Sequence, residues 1–312
     1  MATLSDIKRR IVSIQSTQKI TSAMKMVSAA KLRRAQEAIE AARPLALRMR
    51  ETLDEVGGGE ANHPLFEQRE LKARIELLVI TSDRGLAGAY NGQIIKATEG
   101  LVAERTSDTT RVSLTIVGKK AADYFKGPRA VDVSSARPVG PNVNYLEAKQ
   151  VASGLISRFE SGEVDEVVIV HNEFVSAITQ NVKIVPLLPF APPAAGDDAG
   201  DAEEARAPYE IEPNAERLLA SLVPKAVEVE IFRALLENQA GEHAARMTAM
   251  ENATKNTEEL IEKLTLEYNR ARQAAITSEL VEIITGAQAV SYTHLRAHET
   301  RHALVCRLLL EK

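Results

Sequence analysis

EHAARMTAMENATKNTEELIEKLTLEYNRARQAAITSELVEIITGAQA, residues Glu242–Ala289, carries no proline, and no glycine before Gly286. Read with the residues before it, one face is traced by Leu236, Ala240, His243, Met247, Met250, Thr254, Thr257, Ile261, Leu264, Tyr268, Ala271 and Ala275. That spacing is the heptad of a coiled coil. The apolar seam then slips by one residue to Ile276, Leu280, Ile283 and Ala287. At ~1.5 Å per residue, a helix over 231–287 would run roughly 85 Å. Such a helix cannot bury itself in a compact domain, so it needs an elongated partner.

The chain offers one, at its other end. Residues 5–55 read as a helix, with Ser5 as its cap and Asp6 in the first turn. Apolar residues fall at Leu4, Ile7, Ile11 and Ile14, then resume one register later at Ile20, Met24 and Val27. Small residues follow (Ser28, Ala29, Ala30, Ala35, Ala38, Ala41, Ala42); Pro44 predicts a kink or break, and Gly57-Gly58-Gly59 the end. A long C-terminal helix, expected from about Pro224, pairs most simply with this one in antiparallel fashion, because other structure lies between them. The shared seam is rich in Thr, Ala, Met and His, which makes it thin beside a leucine zipper. Its outer surface is therefore expected to face other protein.

Between the helices the period changes. Arg74–Thr81, Arg111–Val117, Arg129–Ser134 and Val164–His171 read as short buried strands. They alternate with helical patterns at Tyr90–Arg105, Lys119–Phe125 and Tyr145–Ser161. Alternation of this kind predicts a parallel sheet with crossover helices. Val182–Leu188 adds a strand at an edge, where prolines close it. The segment 191–208, APPAAGDDAGDAEEARAP, is too acidic and too poor in large apolar residues to build a core. The expected fold is a long antiparallel coiled coil of the two terminal helices, plus a central Rossmann-like α/β domain with a mostly parallel sheet. Its divisions are 1–56, helix; 72–190, α/β domain; 191–209, acidic loop; 210–290, helix; and 291–312, a tail.

Composition excludes several functions. A net charge of −4 gives no general case for nucleic acid. Charge is nevertheless uneven: residues 1–34 hold eight Lys or Arg against Asp6 alone, which gives the first helix a basic face. A single cysteine, Cys306, cannot form an internal disulfide. Met1–Arg10 lacks the apolar run of a signal peptide, and no stretch reaches the ~18–20 apolar residues that span a bilayer.

The run IKRRIVSIQSTQKITSAMKMVSAAKLRRAQ (Ile7–Gln36) resembles the N-terminal signature of the gamma subunits of F-type ATP synthases. Glu242–Ala289 resembles that family's C-terminal signature, and SDRGLAGAYN (Ser82–Asn91) a third motif after the first strand. The resemblance implies a rotary central stalk with no catalytic set, cofactor or metal of its own. It implies alpha and beta subunits as a surrounding ring, an epsilon subunit, and a membrane-embedded c-subunit ring, with membrane contact only through these partners. It further implies a peripheral position on the cytoplasmic face of a bacterial inner membrane. Carried over by position, the residues that meet the ring would be Met24, Lys25, Arg246, Arg272, Gln273, Thr277, Glu279 and Glu282. Ala87 stands where the family often has Cys, and the cysteine pair of chloroplast relatives is absent.

Two other signals compete. Ser82–Gly88 sits between strand and helix, where phosphate loops lie, yet it matches neither G-x-x-x-x-G-K-[ST] nor G-x-G-x-x-G. It reads as a tight turn with Asp83 or Arg84 in local bonds. His298-Glu299-Thr300-Arg301-His302 is a literal H-E-x-x-H with His294 a turn earlier, the pattern of a zinc protease. It falls in SYTHLRAHETRHALVCRLLLEK, beyond the family resemblance, and that tail resembles translated cloning-adaptor sequence. His63, His171 and His243 are scattered and read as packing or surface. The competing function is a structural coiled-coil tether whose α/β head binds a small ligand.

Overall fold

The computed structural model describes residues 3–57, 63–69, 72–126, 131–140, 142–190 and 215–310, with the backbone alone at 50, 51, 54–57, 215, 216 and 289–310. The acidic 191–209 segment and the side chains of the H-E-x-x-H run lie outside the described residues. Contacts divide the chain into two units, Ser22–Asn252 and the paired ends Met1–Thr21 with Ala253–Lys312.

In Ser22–Asn252, β1 (Arg74–Ile80), α2 (Tyr90–Arg105), β2 (Arg111–Val117), α3 (Lys119–Phe125), β3 (Asp132–Arg137), α4 (Tyr145–Glu160), β4 (Glu166–Phe174) and β5 (Gln180–Leu188) follow one another between α1 (Leu4–Gly57) and α5 (Ala215–Leu310). The sheet order is β3-β2-β1-β4-β5. The first four strands are parallel and β5 is an antiparallel edge. β1, apolar after Arg74 except for Glu76, is buried on both faces, as a central parallel strand must be. The buried Glu76 carboxylate is held by Arg158 at 2.7 Å and by the Thr115 hydroxyl at 2.6 Å. Ile75, Leu77 and Val79 pack against α2 and α3, whereas Leu78 and Ile80 pack against α4 and the first turns of α5. Leu219, Val223, Val227, Ile231 and Leu235 of α5 thus belong to the core of the α/β unit.

Several element ends differ from the sequence reading. α5 starts at Ala215 rather than Pro224, and Pro224 lies inside it. Burial of Leu219, Val223 and Val227 on either side outweighs the hydrogen bond a helical proline forfeits. Pro44 likewise sits inside α1 without ending it. β3 lies three residues later than expected, because its side chains alternate between exposed and half-buried and so carry little apolar signal. β4 and β5 form a longer hairpin than expected, reaching Phe174 and starting at Gln180.

The α1 seam corrects the expected register slip. Half-buried or buried positions run Leu4, Ile7, Ile11, Ile14, Gln18, Thr21, Lys25, Ser28, Leu32, Ala35, Ile39, Ala42, Ala46, Met49 and Leu53, an unbroken alternation of threes and fours. Ile20 and Val27, which the apolar pattern places inside, are 57% exposed. Polar residues hold the seam there because they find partners across it. In the unit of paired ends, the Thr21 and Thr254 hydroxyls lie 2.8 Å apart, and the Gln18 amide donates to Glu258 at 3.1 Å. In Ser22–Asn252, Lys25 meets Glu251 at 3.3 Å, and Leu32 and Ala35 pack with Ala240 and Ala244. Both sets run antiparallel. The cap also moves, from Ser5 to Thr3. Thr3 Oγ1 accepts the Asp6 N–H at 3.3 Å, and the Asp6 carboxylate accepts the Thr3 N–H at 3.1 Å. The hydrogen bonds from Thr3 hold the Asp6 carboxyl below its usual pKa.

On α5 the expected seam holds from Thr254 to Ala275, each predicted position being half-buried. Beyond it, every residue from Ile276 to Gln288 is exposed. The slip is where the partner ends: counting back from the Thr21–Thr254 pair, Leu4 lies opposite about Ala271.

Candidate functional site

In this sheet the chain steps outward from β1 to β3, then returns to β4 on the other side of β1. The C-terminal ends of β1 and β4 therefore flank the switch point, where open α/β sheets hold their ligands. Here α5 fills that place. Asn238, fully buried, donates from its amide to the Thr81 carbonyl at 3.3 Å, just past β1. The Tyr90 hydroxyl, at the first residue of α2, donates to the Asn238 side-chain oxygen at 2.7 Å and lies 2.8 Å from its backbone carbonyl. Gly241 lets the ring approach; a Cβ there would stand 3.0 Å from Tyr90 Cε2. Arg246 reaches the Gly85 carbonyl at 3.2 Å and is held by Glu242 at 2.5 Å.

The surroundings fix the charge states. Burial first, then the Glu242 carboxylate, pushes the Tyr90 hydroxyl well above its ordinary pKa, so it stays a donor. Burial, followed by the cations Arg246, Lys31 and Arg84, pushes His243 down to about 4. On the β4 side, His171 is buried against Glu237 at 3.3 Å, and Glu237 also takes Arg233 at 3.3 Å. The loop before α2 is closed in part by a local bond, as the turn reading expects, the Ser82 hydroxyl donating to the Arg84 carbonyl at 2.7 Å. The bonds of Asp83, by contrast, reach 36 and 56 residues along the chain. Asp83 accepts the Lys119 and Val139 N–H groups, and Asn91 accepts both the N–H and hydroxyl of Ser82. Leu86 and Gly88 adopt positive φ, 62° and 57°, and Leu86 projects into solvent.

Elsewhere in Ser22–Asn252, a groove of about 890 Å³ lies between α1, the β4–β5 hairpin and α5. Of its charged groups, Lys183 pairs with Glu173, and Arg233 with Glu230 and Glu237. Among the described residues no group of three or more His, Cys, Asp or Glu is placed to hold a metal.

The residues singled out for ring contact fall into two groups. In the α/β unit, Met24 is half-buried, Lys25 is partly covered and paired with Glu251, and Arg246 is 8% exposed with its guanidinium spent on Glu242 and Gly85. On the paired ends, Arg272, Gln273, Thr277, Glu279 and Glu282 are exposed, beside exposed Ile276, Leu280, Ile283 and Ile284. Sequence reading missed Tyr90, Asn238 and Gly241. The one local signal for them is a glycine inside a long helix, which helix propensity alone disfavours by about 1 kcal/mol.

A family model described as ATP synthase matches residues 3–290. The ATP synthase gamma chain of Desulforamulus reducens is 47% identical over 93% of this chain and 100% of its own length. That of Trichlorobacter lovleyi is 46% identical over 93% and 99%. The chain belongs to the ATP synthase gamma-chain family. Solved relatives of this family agree in fold. The central stalk and c-ring structure of the Tetrahymena thermophila mitochondrial ATP synthase superposes with a TM-score of 0.55 at 26% identity, over 75% of this chain and 99% of that one. A rotor chain of the Euglena gracilis mitochondrial enzyme gives 0.59 at 18% identity, over 88% and 98%. As a gamma chain it is a non-catalytic subunit. Among the described residues no helix is long and apolar enough to cross a membrane.

Proposed function

We propose that this gamma chain is the rotating central stalk of a proton-driven ATP synthase, turning within a ring of alpha and beta subunits and bound to a c-subunit ring and an epsilon subunit. The observation that carries this is the end of α5. From Ile276 to Gln288 the helix has outrun α1, and it exposes Ile276, Leu280, Ile283 and Ile284 to solvent. A contiguous apolar face of that kind is an association site or an aggregation hazard. Arg272, Gln273, Thr277, Glu279 and Glu282 stand around it, so an enclosing sleeve would meet both apolar contact and hydrogen-bonding groups. The outward Val12, Ile20, Met26 and Val27 of α1 extend the same demand. The basic residues 8–34 suit acidic loops on the enclosing subunits.

The bacterial relatives support a place on the cytoplasmic face of a bacterial inner membrane. The ligand-binding tether is disfavoured by the switch point, which Asn238 occupies. The match ends at residue 290, which supports reading 291–312 as foreign to the family. Purification of the assembled complex tests the assignment: the chain should appear once per six large subunits, together with epsilon and c. Recovery as a free protein from cells that make the other subunits would overturn it.

A further inference from the structure

We propose that Tyr90, Asn238 and Arg246 form an angular lock that fixes the α/β head to α5, so that the two turn as one piece; this rests on the central-stalk reading. A rotor must carry torque between its head and its helices. Apolar packing, by which Leu219, Val223, Val227, Ile231 and Leu235 hold α5 to the sheet, is strong but not directional. It resists separation better than it resists twist or slide. Hydrogen bonds are directional and weaken steeply as angle and distance change.

The polar set is placed to supply what the apolar set lacks. Asn238 ties α5 at one point to two separate parts of the head, the end of β1 through the Thr81 carbonyl and the start of α2 through the Tyr90 hydroxyl. Gly241, one turn on, seats the Tyr90 ring against the helix backbone, so the helix cannot rotate a bulkier side chain into that position. Arg246, a further turn on, takes the Gly85 carbonyl in the loop between β1 and α2. Contacts at Asn238, Gly241 and Arg246 spread over roughly 12 Å of helix and set both its angle and its axial register. Asn238 thereby takes the position that a ligand occupies in other sheets of this kind.

The test uses the assembled complex, held by its beta subunits, with a rod attached to the head. Angular fluctuation of the rod while the motor is stalled reads torsional stiffness. Tyr90→Phe keeps the ring and removes only the hydroxyl; it should lower stiffness below that of wild type, because one directional bond between head and helix is lost. Gly241→Ala should lower it further by displacing the ring. In vesicles both variants should pump fewer protons per ATP hydrolysed, while hydrolysis by the detached, c-ring-free complex stays at the wild-type rate. Tyr124→Phe, which loses a comparable hydroxyl bond to Glu99 within the head, is the control and should change neither reading. Unchanged stiffness and coupling in Tyr90→Phe would overturn the lock, as would equal softening in Tyr124→Phe. If Gly241→Ala fails to assemble, Tyr90→Phe alone decides. A wild-type complex in which the head does not turn would overturn the central-stalk reading and the lock together.

Discussion

His243 shows how one side chain is committed by its neighbours. It is buried beside Arg246, with Lys31 and Arg84 adding positive potential and Glu242 engaged by Arg246, and its pKa falls to about 4. In the unfolded chain the same group titrates near 6.5. The folded state therefore refuses a proton that the unfolded state accepts. His243 costs no stability above about pH 6.5, costs progressively more as pH falls toward 4, and adds no further slope below that. The loss should amount to about 2 kcal/mol at the acid end, because some solvent reaches the site. Urea unfolding of wild type and His243→Gln at pH 7, 5.5 and 4.5 checks it. The variant should be the less stable at pH 7, through poorer packing, and should gain on wild type at each step down. A stability difference that stays constant with pH would show that His243 does not titrate in this window.

At the scale of elements, the helix pair is held by a seam that no apolar count could have read. Thr21 and Thr254 share a hydrogen bond where a zipper would place leucines. Thr21→Val alone removes the hydrogen bond across the seam and should cost about 1 kcal/mol. Thr21→Val with Thr254→Val restores a matched pair and should return stability to within about 0.5 kcal/mol of wild type, or raise it. Melting of the four chains of this cycle measures the coupling, and strictly additive effects would mean that the two hydroxyls do not cooperate. The same seam shows what was legible. Length, helix order, β1, β2, α2 and α3 follow from periodicity, because their apolar residues do face a core. The α1 register did not, because Ile20 and Val27 point outward and polar Gln18, Thr21 and Ser28 point inward. The apparent slip near Ile276 misread a surface as a seam, since periodicity cannot reveal where a partner helix stops. The switch-point contacts were beyond any local pattern, because Tyr90 and Asn238 are 148 residues apart in the chain.

For the whole molecule, the exposed end of α5 separates two demands that an enclosing ring would make. If 291–312 are foreign, deleting them should leave assembly and ATP hydrolysis at wild-type levels, and a loss of either would give that tail a role. The apolar face and the polar flank of 272–288 should then fail in different ways. Ile276→Ser with Ile283→Ser removes apolar contact and should lower the yield of assembled complex, since burial of such side chains contributes roughly 1.5–3 kcal/mol each. Arg272→Ala with Gln273→Ala leaves the apolar face intact and adds the best helix former at two exposed positions, so the helix and the yield should persist. What it removes is a planar guanidinium that can hold a carboxylate through two bonds, and an amide beside it. Those bonds are directional, so they would bind the shaft tightly at some angles and release it at others. That angular preference is how a shaft could hold each enclosing subunit in a distinct state. ATP synthesis per assembled complex should therefore fall several-fold in the double alanine variant while assembly stays normal, because hydrogen bonds to charged groups contribute about 1.5–3 kcal/mol. The decisive comparison is synthesis normalised to the amount of complex: a double alanine rotor that assembles and synthesises at the wild-type rate would make Arg272 and Gln273 solvated surface and nothing more.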